Sequence, residues 1–216
     1  MIAHLFILRN RTCQNPYDDL KWKDKDVNVM NTQLLNAIDR LLAEKSRVLI
    51  AIDGPCTAGK TTLAGLLQQK YDCSVIHMDE FFLRPSQRTQ ERLQEPGGNV
   101  DYERFYEEVL LPLAAGEVFT YRPYSCKDQT LTDPITVYPN RLTVIEGTYS
   151  THPYFQNPYD LTVFLTVDPQ TQAQRIRQRE PWKQEMFHKV WIPLEQAYFD
   201  HFSIGQHCDL MLTASM

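Results

Sequence analysis

The chain has 216 residues, 43% of them hydrophobic and 23% charged, with a formal charge of −5 at neutral pH. That length suits one α/β domain over residues 1–216 with a core of ordinary size, and the negative balance argues against a broad nucleic-acid surface. Five scattered cysteines (Cys13, Cys56, Cys73, Cys126 and Cys208) contain no C-x-x-C pair, which speaks against a disulfide framework or zinc site and for reduced thiols in a cytoplasm.

Residues 1–45 are expected to form an N-terminal extension and a helix. Residues 2–8 are apolar but too short to span a bilayer, and no small-residue cleavage site follows them. They suit an edge strand, and the polar residues 15–26 carry little structural signal. From Thr32 to Glu44, Leu34, Leu35, Ile38, Leu41 and Leu42 recur at helical spacing, with Asn31 or Thr32 as the N-cap. This helix should pack beside the first strand of the sheet.

Residues 47–67, RVLIAIDGPCTAGKTTLAGLL, organise the rest. The apolar run Val48 to Ile52 reads as a strand covered on both faces. Gly54, Pro55, Cys56, Thr57, Ala58, Gly59, Lys60 and Thr61 match G-x-x-x-x-G-K-[ST] at each fixed position, and Leu63, Leu66 and Leu67 continue as a helix. Strand, glycine-bounded loop and helix N-terminus form the context of a phosphate-binding P-loop. The first helical N–H groups have no intrahelical partner and carry partial positive charge, so a curled loop aims its amides at an anion. Lys60 reaches the β/γ-phosphates of a bound nucleotide and the Thr61 hydroxyl ligates Mg²⁺; Thr62 completes the binding segment. ATP and Mg²⁺ are the expected cofactors.

Residues 74–78 read as a second strand that ends at Asp79-Glu80-Phe81-Phe82. Residues 84–100, with Pro85, Pro96, Gly97 and Gly98, have the composition of a loop, and one this long in a compact domain is functional, here as the acceptor-site loop, or disordered. A helical pattern resumes at 101–111 and should stop at Pro112. Two short strands, 118–121 and 135–138, flank residues 124–133. Residues 142–145 form a buried strand ending in Glu146-Gly147, and residues 161–167 another, closed by Asp168-Pro169. Residues 171–180 and 187–202 read as helices and 209–213 as a last strand. Alternating strands and helices predict a three-layer αβα sandwich on a mostly parallel sheet. Ligands bind such sheets beyond the carboxyl ends of the strands, so Asp79, Glu146 and, more weakly, Asp168 are the polar residues to weigh.

No N-K-x-D guanine reader is present, and the chain is short for a motor ATPase, which leaves a small-molecule kinase. Phosphoryl transfer needs positioning, Mg²⁺, cationic clamps and a carboxylate that orients the acceptor hydroxyl. Asp79 is the candidate base, or a carboxylate capping the next turn. Glu146 is placed to hold Mg²⁺ through its water shell, or to cap a turn beside Gly147. Arg175 and Arg179 share a helix face that Arg177 does not. They are candidates to close over the phosphates from a short lid at 175–190; a solvated basic face is the plainer alternative. Cys56, near a helix N-terminus, is either a thiol of lowered pKa or a small filler at a variable position.

GPCTAGKT, HMDEFF, GGNVD, VYPNRLTVIEGTY, the arginine helix and residues 191–195 (WIPLE), in this order, make residues 48–213 resemble the uridine kinase/phosphoribulokinase-like P-loop kinases, which include nicotinamide riboside kinases. The resemblance implies Asp79 as catalytic base, Thr61 and Glu146 as the Mg²⁺-associated hydroxyl and carboxylate, and Arg175 and Arg179 as lid arginines. It also implies that Asp101 holds ribose hydroxyls, a position equally suited to an N-cap. Phe82 stands where uridine kinases commonly have Tyr, and a histidine often found after the central excursion has no clear match near Tyr124 and Cys126. The acceptor is expected to contact Asp79, Phe82, Arg84, Asp101 and Tyr124. A nucleoside such as uridine or cytidine is the favoured acceptor. Nicotinamide riboside, a pantothenate-like alcohol or a sugar are alternatives, as is a regulator that binds nucleotide without catalysis. The expected partner is therefore a small molecule, with neither nucleic acid nor membrane; the oligomeric state is left open, a homo-oligomer included.

Overall fold

The computed structural model describes residues 32–213; the expectations for residues 2–8, for residues 15–26 and for an Asn31 cap lie outside them. Helix α1 (Thr32–Glu44) buries Leu34 and Ile38 completely. Both join one apolar cluster with Val48 and Ile50 of strand β1 (Val48–Asp53) and with Leu63 and Leu67 of helix α2 (Lys60–Tyr71). Burying each such side chain is worth about 1.5–3 kcal/mol, which is why this helix docks where expected.

Among the described residues the central sheet has five parallel strands in the spatial order β2 (Ser74–His77), β7 (Leu142–Glu146), β1, β8 (Leu161–Thr166), β9 (Leu210–Thr213). Successive side chains point to opposite faces. Ile50, Ile52, Val144, Val163 and Leu165 therefore pack with α1 and α2, while Ile76, Ile145 and Phe164 join Phe81, Phe105, Val109 and Tyr198 on the other side. These are the two interfaces of a three-layer sandwich. β7 and β8 lie on opposite sides of β1, so the winding reverses there and opens a crevice at its carboxyl end. The central excursion folds as two small antiparallel pairs, β3 (Phe119–Tyr121) with β6 (Ile135–Val137) and β4 (Tyr124–Ser125) with β5 (Thr130–Leu131).

Three sequence expectations change. The segment 84–100 is not a plain loop: a 3₁₀ turn (Pro85–Gln87) and helix α3 (Gln90–Gln94) order it, with the Thr89 hydroxyl accepting from the Arg92 N–H at 3.2 Å. Arg92 donates to the carbonyls of Gly98 (2.9 Å) and Val100 (3.0 Å), forms a two-pronged pair with Glu103 (2.6 and 2.7 Å), and lies 3.8 Å from the centre of the Tyr102 ring. One guanidinium thus satisfies the carbonyls that a polar loop would otherwise leave to water.

The helix beginning at Tyr102 does not stop at Pro112. Helix α4 (residues 102–115) has a π-helical middle turn, Tyr106–Leu110, in which the Leu111 N–H reaches back to the Tyr106 carbonyl. The wider turn accommodates a proline that lacks an N–H and whose ring would clash with the carbonyl four residues back. Helix α6 (residues 184–202) repeats the device: a π turn, Phe187–Trp191, directly precedes the turn that holds Pro193. Helix α5 (Pro169–Arg179) begins two residues earlier than the periodicity predicts, because the Asp168 carboxylate caps it by accepting from the Gln170 and Thr171 N–H groups, both at 3.0 Å. That cap accounts for Asp168. Helix α7 (Ile204–His207) leads into β9.

Candidate functional site

Strand β1 delivers Asp53 and then Gly54 to the crevice. Gly54 has φ +140°, and a Cβ there would sit 2.2 Å from the Leu165 carbonyl oxygen of β8, so the turn accepts no side chain. Asp53 is fully buried and its carboxylate accepts five hydrogen bonds: from the N–H groups of Gly54 (2.7 Å), Tyr149 (3.2 Å) and Thr151 (3.0 Å), the Thr151 hydroxyl (2.7 Å) and the Tyr198 hydroxyl (3.0 Å). It ties the start of the P-loop to the loop after β7 and to α6. The signal for it in the sequence is an acid that ends an apolar strand just before a P-loop.

Lys60 opens α2 and folds back over the loop, donating from Nζ to the carbonyls of Gly54 (2.7 Å) and Pro55 (2.8 Å) and to the Thr148 hydroxyl (3.3 Å). The next residue, Thr61, donates its hydroxyl to Glu146 Oε1 at 3.0 Å, and His77 Nδ1 lies 2.5 Å from the same oxygen. Sheet register explains the meeting, since Glu146 is the Cα partner of Ile52 on one side and of His77 on the other. A hydroxyl beside a carboxylate is a hard oxygen donor set of the kind Mg²⁺ takes. Among the described residues no group of three or more His, Cys, Asp or Glu side chains is arranged around a metal position.

Asp79 sits in the 3₁₀ turn Met78–Phe81 that ends β2, open to the crevice. Its carboxyl is raised above the usual range, first by the desolvation of its surroundings and then by the charge of Glu146, while Lys60, His77 and Arg179 pull the other way. On α5, Arg175 donates to the Thr57 carbonyl at 3.0 Å, bracing the P-loop from outside, and Arg179 is close enough for its charge to act on Asp79. Arg177 turns back onto the Ala173 carbonyl of its own helix.

Residues 84–101 and the central excursion form the wall beside Asp79. Asp101 is buried and caps α4 through the Arg104 N–H (3.2 Å), and its other oxygen accepts from Gln87 Nε2 (2.8 Å). Arg84 approaches it at 4.0 Å. Phe82 bridges to Val100, and the Tyr124 hydroxyl accepts from Arg88 at 2.9 Å. A cavity of about 430 Å³ opens between Leu83, Gln87, Arg92 and Asp101.

Glu195, on α6, is in the sequence only the last residue of the 191–195 segment. It is buried, and Oε2 accepts the Cys56 N–H of the P-loop at 2.9 Å, with Oε1 3.4 Å from the Thr148 hydroxyl. One loop amide is therefore met by an internal carboxylate. Of the two readings of Cys56, the same environment favours the small filler: burial, with the Glu195 charge second, pushes the thiol up to about 12, away from a reactive thiolate at neutral pH.

No family model matches the chain, and no curated protein matches it in sequence. A solved structure described as a possible uridine kinase from Bacillus stearothermophilus is 23% identical, with a TM-score of 0.58 over 83% of this chain and 98% of that one. TT1252 from Thermus thermophilus is 16% identical (TM-score 0.44, covering 80% and 91%), and shikimate kinase from Bacteroides thetaiotaomicron is 18% identical (0.41, covering 77% and 86%). No helix among the described residues is long and apolar enough to cross a membrane. Five parallel strands wound about a P-loop at the end of β1, matched across most of the chain by the first of these structures, give the protein the α/β P-loop NTPase fold.

Proposed function

We propose that the protein is an ATP-dependent kinase that transfers the γ-phosphate to a hydroxyl of a small metabolite, a nucleoside such as uridine or cytidine. The observation that carries this reading is the meeting, at one end of the sheet, of the P-loop lysine, the Thr61–Glu146 oxygen pair and the Asp79 carboxylate with Arg179 near it. A nucleotide-binding regulator has no need of the last two.

In the proposed reaction the loop amides and Lys60 hold the β- and γ-phosphates. Mg²⁺, held by Thr61 and Glu146, would supply charge neutralisation across those phosphates. Asp79 accepts the proton of the acceptor hydroxyl as its oxygen bonds to the γ-phosphorus and the bond to the bridging oxygen of ADP breaks. Arg179 stabilises the charge on the transferring group, and Arg175 keeps the P-loop in shape for it. Asp101 offers its carboxylate to ribose hydroxyls in exchange for Gln87, with Phe82, Arg84 and Tyr124 forming the rest of that wall.

A panel of uridine, cytidine, nicotinamide riboside, pantothenate and pentoses, followed by ADP release, tests the reading. Stimulation by a nucleoside supports it. Stimulation by another member moves the acceptor within the same chemistry, and none from the whole panel favours the regulator. Glu195 supplies a second measurement. It is a buried negative charge at the loop that receives the phosphates, so Glu195→Gln should tighten ATP binding about 3- to 10-fold in calorimetric titrations. Unchanged or weaker binding would mean that the carboxylate only supports the loop.

A further inference from the structure

We infer that His77 is a positioning residue for the Mg²⁺ site, holding the Glu146 carboxylate in the orientation in which it shares an oxygen with Thr61. The inference rests on the proposed role of Glu146. Glu146 Oε1 accepts from two donors, Thr61 Oγ1 at 3.0 Å and His77 Nδ1 at 2.5 Å. A carboxylate offers no proton, so Nδ1 carries one and donates it to Glu146. Glu146 is almost wholly buried at 5% side-chain exposure, whereas His77 is 38% exposed. The histidine is thus the outer member of the pair and packs no core.

The contact is built into the backbone. His77 and Glu146 are the last aligned residues of the parallel β2–β7 pair, so their side chains leave the same face at the same level. Thr61 reaches the same Glu146 oxygen from the first turn of α2. Without the imidazole, one hydroxyl alone would fix the carboxylate, leaving its χ angles free to turn the oxygens away from the ion. Partners that orient a metal-associated carboxylate typically change metal affinity 10- to 100-fold when removed.

The experiment is calorimetric titration of ATP into the full chain at stepped Mg²⁺ concentrations and in EDTA. His77→Leu should raise the Mg²⁺ concentration needed for half of the metal-dependent gain in ATP affinity by about 10- to 100-fold, with ATP binding in EDTA unchanged. His77→Asn, whose amide nitrogen replaces Nδ1, should recover most of the loss. A purely structural role would instead weaken binding in EDTA and lower the melting temperature of both variants alike. If His77→Leu folds poorly, the partly exposed position allows His77→Ala as a second donor-free variant. A wild-type Mg²⁺ response in the donor-free variants overturns the inference. Glu146→Gln separates the two layers: if it weakens the Mg²⁺ response and the His77 variants do not, only the histidine's role falls. If Glu146→Gln itself leaves that response intact, the assignment of Glu146 falls.

Discussion

Lys60→Ala should leave less than about a thousandth of wild-type ADP release and weaken ATP binding at least about 100-fold. The ammonium stands over the loop within 2.8 Å of the Gly54 and Pro55 carbonyls, so its removal costs two things together. The β/γ-phosphates lose a charge-assisted donor, worth about 1.5–3 kcal/mol for each such bond, and the loop loses the internal tie that keeps its first residues curled. α2 keeps its buried apolar face through Leu63, Ala64 and Leu67, so the variant should fold and melt near the wild type. Turnover at the wild-type rate in this variant would remove the P-loop from the reaction.

Asp79→Asn should divide binding from transfer. The carboxylate opens onto the crevice and its environment disfavours its charge, so the amide is tolerated and ATP affinity should stay within about threefold or improve. Phosphoryl transfer should fall by about 10²–10⁴, the usual value of a positioned base. The pH profile supplies a second reading. Asp79 is raised above its ordinary value by desolvation and by Glu146, and only its deprotonated form accepts the hydroxyl proton. Activity should therefore be lost, as pH falls, at a higher pH than an ordinary carboxylate would give. The residual activity of Asp79→Asn should lack that acid limb. Transfer at the wild-type rate would place the base elsewhere.

Elements written in local spacing were legible in the sequence: the α1 stripe, the strand–loop–helix around Gly54–Thr61, and the acids that end β2 and β7. Each follows from a repeat of two or 3.6 residues, or from a motif whose glycines and lysine have only local work to do. Elements that failed were those held by particular contacts that no hydrophobic repeat or propensity encodes. The order in segment 84–100 comes from Arg92 reaching Gly98, Val100 and Glu103. The passage of α4 through Pro112 depends on a π turn that no propensity announces.

By itself, the sequence determined the fold class and the presence of a phosphate cradle, because hydrophobic period and glycine placement act through neighbours along the chain. Only the tertiary structure decided what meets that cradle. Sheet register brings Ile52, His77 and Glu146 to one level, and α6 carries Glu195 across 139 positions to the Cys56 amide. Such contacts are set by which strands lie side by side and how helices cross them, and neither is encoded in the spacing of any one segment.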